Sequence, residues 1–151
     1  MTIFKHTLPK VMSGRKTQTS RLFKEGERLF TVGDTITVYS DKGRPKWQTG
    51  KTYAIQPEYG TKQVGRYRCL HLAKRDVRDF TQEDAEREGF DSLYEFWLVW
   101  TEMHDKVAED VMEKNGNWVT DTGIARGQSY LKFRPDKFYR AWVIRFEVVK
   151  S

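Results

Sequence analysis

The stretch SGRKTQTSRL, residues 13–22, places three cations (Arg15, Lys16, Arg21) among three hydroxyls (Thr17, Thr19, Ser20), directly behind Gly14. Lys16 precedes Thr19 by three residues, after a glycine that permits close backbone approach. A lysine whose pKa is lowered by burial and by neighbouring cations such as Arg15 and Arg21 serves as a base. The threonine hydroxyl then attacks a carbonyl or holds the water that does. A carboxylate must pass a proton to the leaving amine, and Glu83, Glu86, Glu88 and Glu95 offer themselves downstream. The plainer reading of the same residues is a solvated cationic turn that feeds a strand.

Other chemistries find little support. The histidines, His6, His71 and His104, are far apart with no short ligand spacing, so no metal site is expected. GxxxxGK[ST], GxGxxG and GxSxG are absent, which removes the sequence signals for nucleotide-triphosphate loops, dinucleotide folds and hydrolase elbows. No cofactor is expected. Cys69 is the single cysteine and sits in the apolar run YRCLHL, so it reads as an inert core thiol.

The elements that must position the opening stretch are legible in outline. LPKVMSG suits a short helix, with Pro9 in its first turn and Gly14 just past its end. KTQTSRLF reads as a short strand, and VGDTITVYS as a strand entered through a turn at Gly33-Asp34. DKGRPKWQTG reads as a loop punctuated by Gly43, Pro45 and Gly50. KTYAIQPEYG and VGRYRCLHLAKRDV are two further strands. TQEDAEREGF carries a hydroxyl cap at Thr81, acids in its first turn and a stop at Gly89. Leu93, Phe96, Trp97 and Trp100 then recur at helical spacing, a stripe that reads as core. Residues 115–140 are glycine-rich and irregular, and RAWVIRFEVVK closes the chain as an alternating strand. Strands, a helical pair and a last strand describe one α+β domain spanning 1–151, built on a small β-barrel.

Bulk properties fit that picture. With 151 residues, 38% of them hydrophobic, the chain can bury one core. No apolar run approaches the roughly 20 residues that cross a bilayer, and MTIFKHTLPK lacks the apolar stretch of a signal peptide. A cytoplasmic protein without a membrane partner is the expectation. The net charge is +6, yet residues 81–122 hold three Lys/Arg against twelve Asp/Glu. A basic body with one acidic segment suits an anionic ligand such as nucleic acid.

SGRKTQTSR, followed by VGDTITVYS, resembles the signature of the ASCH family, a G-x-K-x-x-x-x-R turn and then a G-D strand. The matching residues are Gly14, Lys16, Arg21, Gly33 and Asp34. DAEREGFDSLYEFW is similar to the family's mid-domain helices and RAWVIRFEVV to its closing strand, so the resemblance covers most of the chain. It implies a small PUA-like β-barrel with flanking helices and a cleft for RNA or a modified nucleoside. One branch of the family hydrolyses N4-acetylcytidine to cytidine and acetate with a Lys, a Thr and a Glu. The local pattern GRKTQTSR carries those roles to Lys16 and Thr19, and Ala85-Glu86-Arg87-Glu88 carries the third to Glu88. Relative to that branch the chain carries extra material near 41–65 and 104–132, which stands to reshape the pocket.

A non-catalytic reading uses other residues. Lys10, Arg15, Lys16, Arg21, Lys42, Arg44 and Lys46 would touch phosphates, with Gly14 in the ligand-binding turn. Trp47, Tyr53 or Tyr59 would stack on unpaired bases, with Trp47 favoured because it is expected in a loop. A ribonuclease stays open on the family resemblance, and a protein partner bound through residues 115–130 has only the extra material in its favour.

Overall fold

Alternation of apolar and polar residues along eight segments builds two sheets, and the computed structural model describes residues 2–3, 7–57, 60–101, 103–104 and 139–149 of the chain. In chain order the elements are β1 (Thr2–Ile3), α1 (Leu8–Met12), β2 (Gln18–Leu22), β3 (Arg28–Val32), β4 (Thr35–Tyr39), β5 (Pro45–Gln48), β6 (Thr52–Gln56) and β7 (Gly65–Asp76). A 3-10 turn (Val77–Asp79), α2 (Gln82–Arg87) and β8 (Arg140–Val148) follow. Residues 93–101, with 103 and 104, form a third helix, α3. The fold is mixed α+β, as expected.

The larger sheet runs β1-β6-β7-β8-β2 and the smaller β3-β4-β5. All neighbours are antiparallel except β1 on β6. Among the described residues the strands form these two packed sheets and no closed barrel, with β4 and β5 against β7. Their shared core holds Val38, Trp47, Ile55, Tyr67, Trp142 and Phe146. The other face of the larger sheet carries the helices: Val77, Phe80, Ala85, Phe96, Trp97 and Trp100 cluster with Ala141 and Val143 of β8. Burying side chains of this size stabilises by about 1.5–3 kcal/mol each. The tryptophan stripe is therefore core, and Trp97 also donates its indole N–H to the Val77 carbonyl at 3.1 Å.

Local signals at α2 are realised. Thr81 accepts from the Asp84 N–H while Asp84 accepts from the Thr81 N–H, a reciprocal cap. Gly89 ends the helix at φ +94°, a conformation L side chains rarely adopt.

Three readings change. Residues 45–48 are strand β5 and not loop, because Pro45 occupies the first position of an edge strand, where its missing N–H costs no ladder bond. Residues 28–32, unassigned in the sequence, pair with β4 as β3. Trp47 is 8% exposed, packed with the core, and so is not a free stacking surface. Tyr59, His6, residues 115–130 and the extra material beyond 104 lie outside the described residues.

Candidate functional site

β2 begins just after the turn at Gly14 and Arg15, and its side chains alternate between the two faces of the sheet. Lys16, Gln18 and Ser20 share the face that lies under the C-terminal end of α2. Glu88, the residue that caps α2, comes down onto them. Its Oε2 accepts from Gln18 Nε2 at 3.0 Å and from Ser20 Oγ at 2.6 Å. Its Oε1 lies 3.9 Å from Lys16 Nζ. Lys16 is 6% exposed and Glu88 2%, so two opposite charges meet away from water.

Backbone bonds lock this junction. Lys16 N–H donates to the Lys10 carbonyl and Thr17 N–H to the Arg87 carbonyl, both at 2.9 Å. Lys10 Nζ also donates to the Gly89 carbonyl. α1, β2 and the end of α2 are thereby held together around one lysine and one glutamate.

Burial moves both groups toward neutrality. It lowers the Lys16 pKa to about 8, against the raising effect of Glu88 and with further lowering from Arg21 and Lys10. Burial raises the Glu88 carboxyl, and Lys16, Ser20 and Gln18 only partly offset it. Burial thus makes the amine and carboxylic acid form of the pair less unfavourable than it is in water. Gln18 is fully buried, and its Oε1 has no donor among the described residues, leaving an acceptor beside the pair.

The sequence-predicted residues separate into groups. Lys16 and Glu88 are brought together. Thr19 is not: lying between Gln18 and Ser20, it faces the other side of the strand, opposite Ile144 of the inter-sheet core. Strand alternation thus sets Thr19 apart from Gln18 and Ser20, the two residues that hydrogen-bond Glu88. Arg21 shares the Thr19 side of β2, opposite Trp142, and its charge still reaches Lys16 and Glu88. Gly14 ends α1 at φ +82°, and Arg15 is exposed and paired with Asp91. Arg44 lies exposed at the β4–β5 turn. Lys46 pairs at 2.6 Å with the buried Glu27 and lies over the Trp47 ring, so this trio belongs to the smaller sheet and not to the Lys16–Glu88 junction. Tyr53 is also engaged, its hydroxyl accepting from the Gln48 N–H at 2.6 Å. Glu83, Glu86 and Glu95 are exposed. Gln18 and Ser20 were missed, and the alternation of GRKTQTSR with Lys16 was the signal that pointed to them.

Among the described residues no group of histidine, cysteine and acidic side chains could hold a metal ion, and no helix is long and apolar enough to cross a membrane.

No family model and no curated protein matches the chain. Among solved structures it is similar to the crystal structure of protein EF3133 from Enterococcus faecalis V583, of family DUF984. The TM-score is 0.50 at 19% identity, over 93% of this chain and 68% of that one. At that identity the likeness concerns the fold alone.

Proposed function

We propose that the chain is an ASCH-like amidohydrolase acting on an acylated nucleobase of the N4-acetylcytidine type, with Lys16 and Glu88 as its proton-transfer pair. The observation that carries this reading is the buried approach of Lys16 Nζ to Glu88 Oε1 at 3.9 Å, with the two pKa values displaced toward each other. Pairs of groups pushed in this way are found at sites that do acid–base work.

Neutral Lys16 takes a proton from a water, whose oxygen bonds to the acyl carbon. The C–N bond breaks as protonated Glu88 gives its proton to the leaving amine. Acid and amine depart, and one proton returns from the Lys16 ammonium to the Glu88 carboxylate. Water is the nucleophile in this scheme because Thr19 faces away from the pair, while the Gln18 carbonyl is free to orient a water or a substrate N–H. Arg21 keeps Lys16 inclined to lose its proton.

Incubation with N4-acetylcytidine, following acetate, tests the reading. Release by the wild type and by Thr19→Ala, with loss in Lys16→Ala and Glu88→Gln, is the expected pattern. No release by the wild type, or undiminished release by Lys16→Ala, overturns it.

Binding without turnover is the second reading. It is favoured by the low exposure of Lys16 and Glu88, 6% and 2%, which suits a structural ion pair. Salt-sensitive binding of an oligoribonucleotide with no acetate release would establish it in place of the first.

A further inference from the structure

A groove of about 320 Å³ opens beside the Lys16–Glu88 junction. It runs between α2 and the strands β7 and β8, and its polar walls are His71, Arg75, Thr81, Asp84, Arg87 and Arg145. The volume lies at the lower end of small-ligand pockets, about 300–1,000 Å³.

Register places this groove against the site. His71 of β7 stands opposite Arg145 of β8, and Arg145 opposite Gln18 of β2. In the next row Ala73 stands opposite Val143, and Val143 opposite Ser20. Cross-strand partners share a face of the sheet. The floor of the groove therefore continues, one strand over, into the two residues that hydrogen-bond Glu88.

The charges of the groove do not cancel. Among the described residues Asp84 is its single carboxylate, and the Arg75 guanidinium holds both its oxygens, at 2.7 and 3.0 Å. Burial works against the Asp84 carboxylate, yet Arg75 and the Thr81 N–H keep it below the usual carboxylate range. Arg87 is paired with Glu83, an exposed acid that does not line the groove. Arg145 is exposed and has no hydrogen-bond or ion-pair partner among the described residues. Three guanidinium groups thus face a space whose only anion among the described residues is already bound twice. Guanidinium forks match phosphate oxygens in pairs, and a phosphate offers three or more acceptors where a carboxylate offers two.

We propose that this groove binds a phosphate group of the substrate, with Arg145 as its principal contact and Arg87 and Arg75 beside it. The substrate is then a nucleotide and not a bare nucleoside. This rests on the proposed function only in that the groove lies next to the Lys16–Glu88 pair. The phosphate comes either from a mononucleotide, as a monoester, or from an RNA strand, as a diester.

The full-length protein is titrated calorimetrically at low salt with cytidine, cytidine 5′-monophosphate, inorganic phosphate and a short single-stranded oligoribonucleotide. Cytidine 5′-monophosphate is expected to bind at least tenfold more tightly than cytidine. Arg145→Ala should bring that ratio toward one, and Arg145→Lys should restore part of it. Arg145 has no partner among the described residues to lose, and an unchanged denaturation midpoint in the variant separates lost contact from lost fold. A monoester source predicts that the mononucleotide competes with the oligonucleotide at equal phosphate concentration. An RNA source predicts that the oligonucleotide wins, with a salt slope about one unit shallower in Arg145→Ala. Equal binding of cytidine and its monophosphate, or a ratio that survives Arg145→Ala, overturns the proposal. Acetate release from free N4-acetylcytidine is read on the same preparations. Release without phosphate discrimination sinks the groove and spares the hydrolase, and discrimination without release does the reverse.

Discussion

The Ser20 hydroxyl donates to Glu88 Oε2 at 2.6 Å, the same oxygen that accepts from Gln18. This bond favours the carboxylate form of a group that burial pushes the other way. Ser20→Ala removes it, and hydrogen bonds to charged groups contribute about 1.5–3 kcal/mol. Urea unfolding should show a loss of that order. Because Glu88 acts in the proposed scheme when protonated, its raised pKa in the variant should carry upward the limb of a pH–rate profile that Glu88 governs. An unmoved limb would remove Glu88 as the acid.

Removing one member of a buried pair strands the other. Lys16→Met should cost about 3–5 kcal/mol, and the double variant with Glu88→Gln should recover much of that. Denaturant midpoints of the two singles and the double give the coupling. Additive losses would mean that the two side chains do not interact.

Lys16 also makes stability depend on pH with a definite sign. Its folded pKa is about 8, against 10.5 for the free side chain. Between those values the unfolded chain holds more protons than the folded one, so this group makes stability rise with pH. Below pH 8 the cost of burying the ammonium is fully present. Comparison of the wild type with Lys16→Met from pH 7.5 to 10.5 should isolate the rise, and a flat difference would refute it.

Asp84 has the same sign in a more acidic window. Its folded pKa lies below the ordinary 3.8, so its stabilisation is present above that value and declines only as pH falls further. Asp84→Asn should destabilise equally at pH 7 and pH 5, by about 2–3 kcal/mol for a partly exposed bridge with a capping role. The gap should narrow below pH 3.8. A gap that shrinks already between pH 7 and pH 5 would contradict this.

Gly89→Ala should loosen the site from its far side. An added Cβ would adopt a φ of +94° and lie 3.2 Å from Lys10 Cδ and 3.4 Å from Lys16 Cβ. The left-handed conformation alone costs about 1–2 kcal/mol. Thermal denaturation should fall accordingly, and any acetate release should fall with it, since Glu88 is the neighbouring residue.

Much of this arrangement was legible because its signals are local. Thr81 and Gly89 announce α2 through capping chemistry, and the Phe96, Trp97, Trp100 stripe announces a buried helix face through its period. Cys69 follows from its apolar neighbours, and burial raises its thiol to about 12. Trp47 was misread because Gly43, Pro45 and Gly50 look like loop punctuation, whereas an edge strand tolerates a proline at its start. The pairing of Lys16 with Glu88 came from a family resemblance and not from spacing, since contact between residues so distant in the chain has no local signature. Thr19 failed for a related reason: types and order can be read from sequence, but which side of a strand faces a given helix is decided by packing.

The turn between α1 and β2 sets which side of the strand meets the end of α2. A strand is read two residues at a time, so the number of residues between Gly14 and Gln18 acts as a reading frame for the site. Inserting or deleting one residue there, with α1 and Gly14 kept in place, would slip β2 by one residue against β8 and turn Gln18 and Ser20 away from Glu88. The threonines would rotate into their place. Two chains differing by a single residue in this turn would present different nucleophiles to the same glutamate, with every strand and helix of the fold left where it stands.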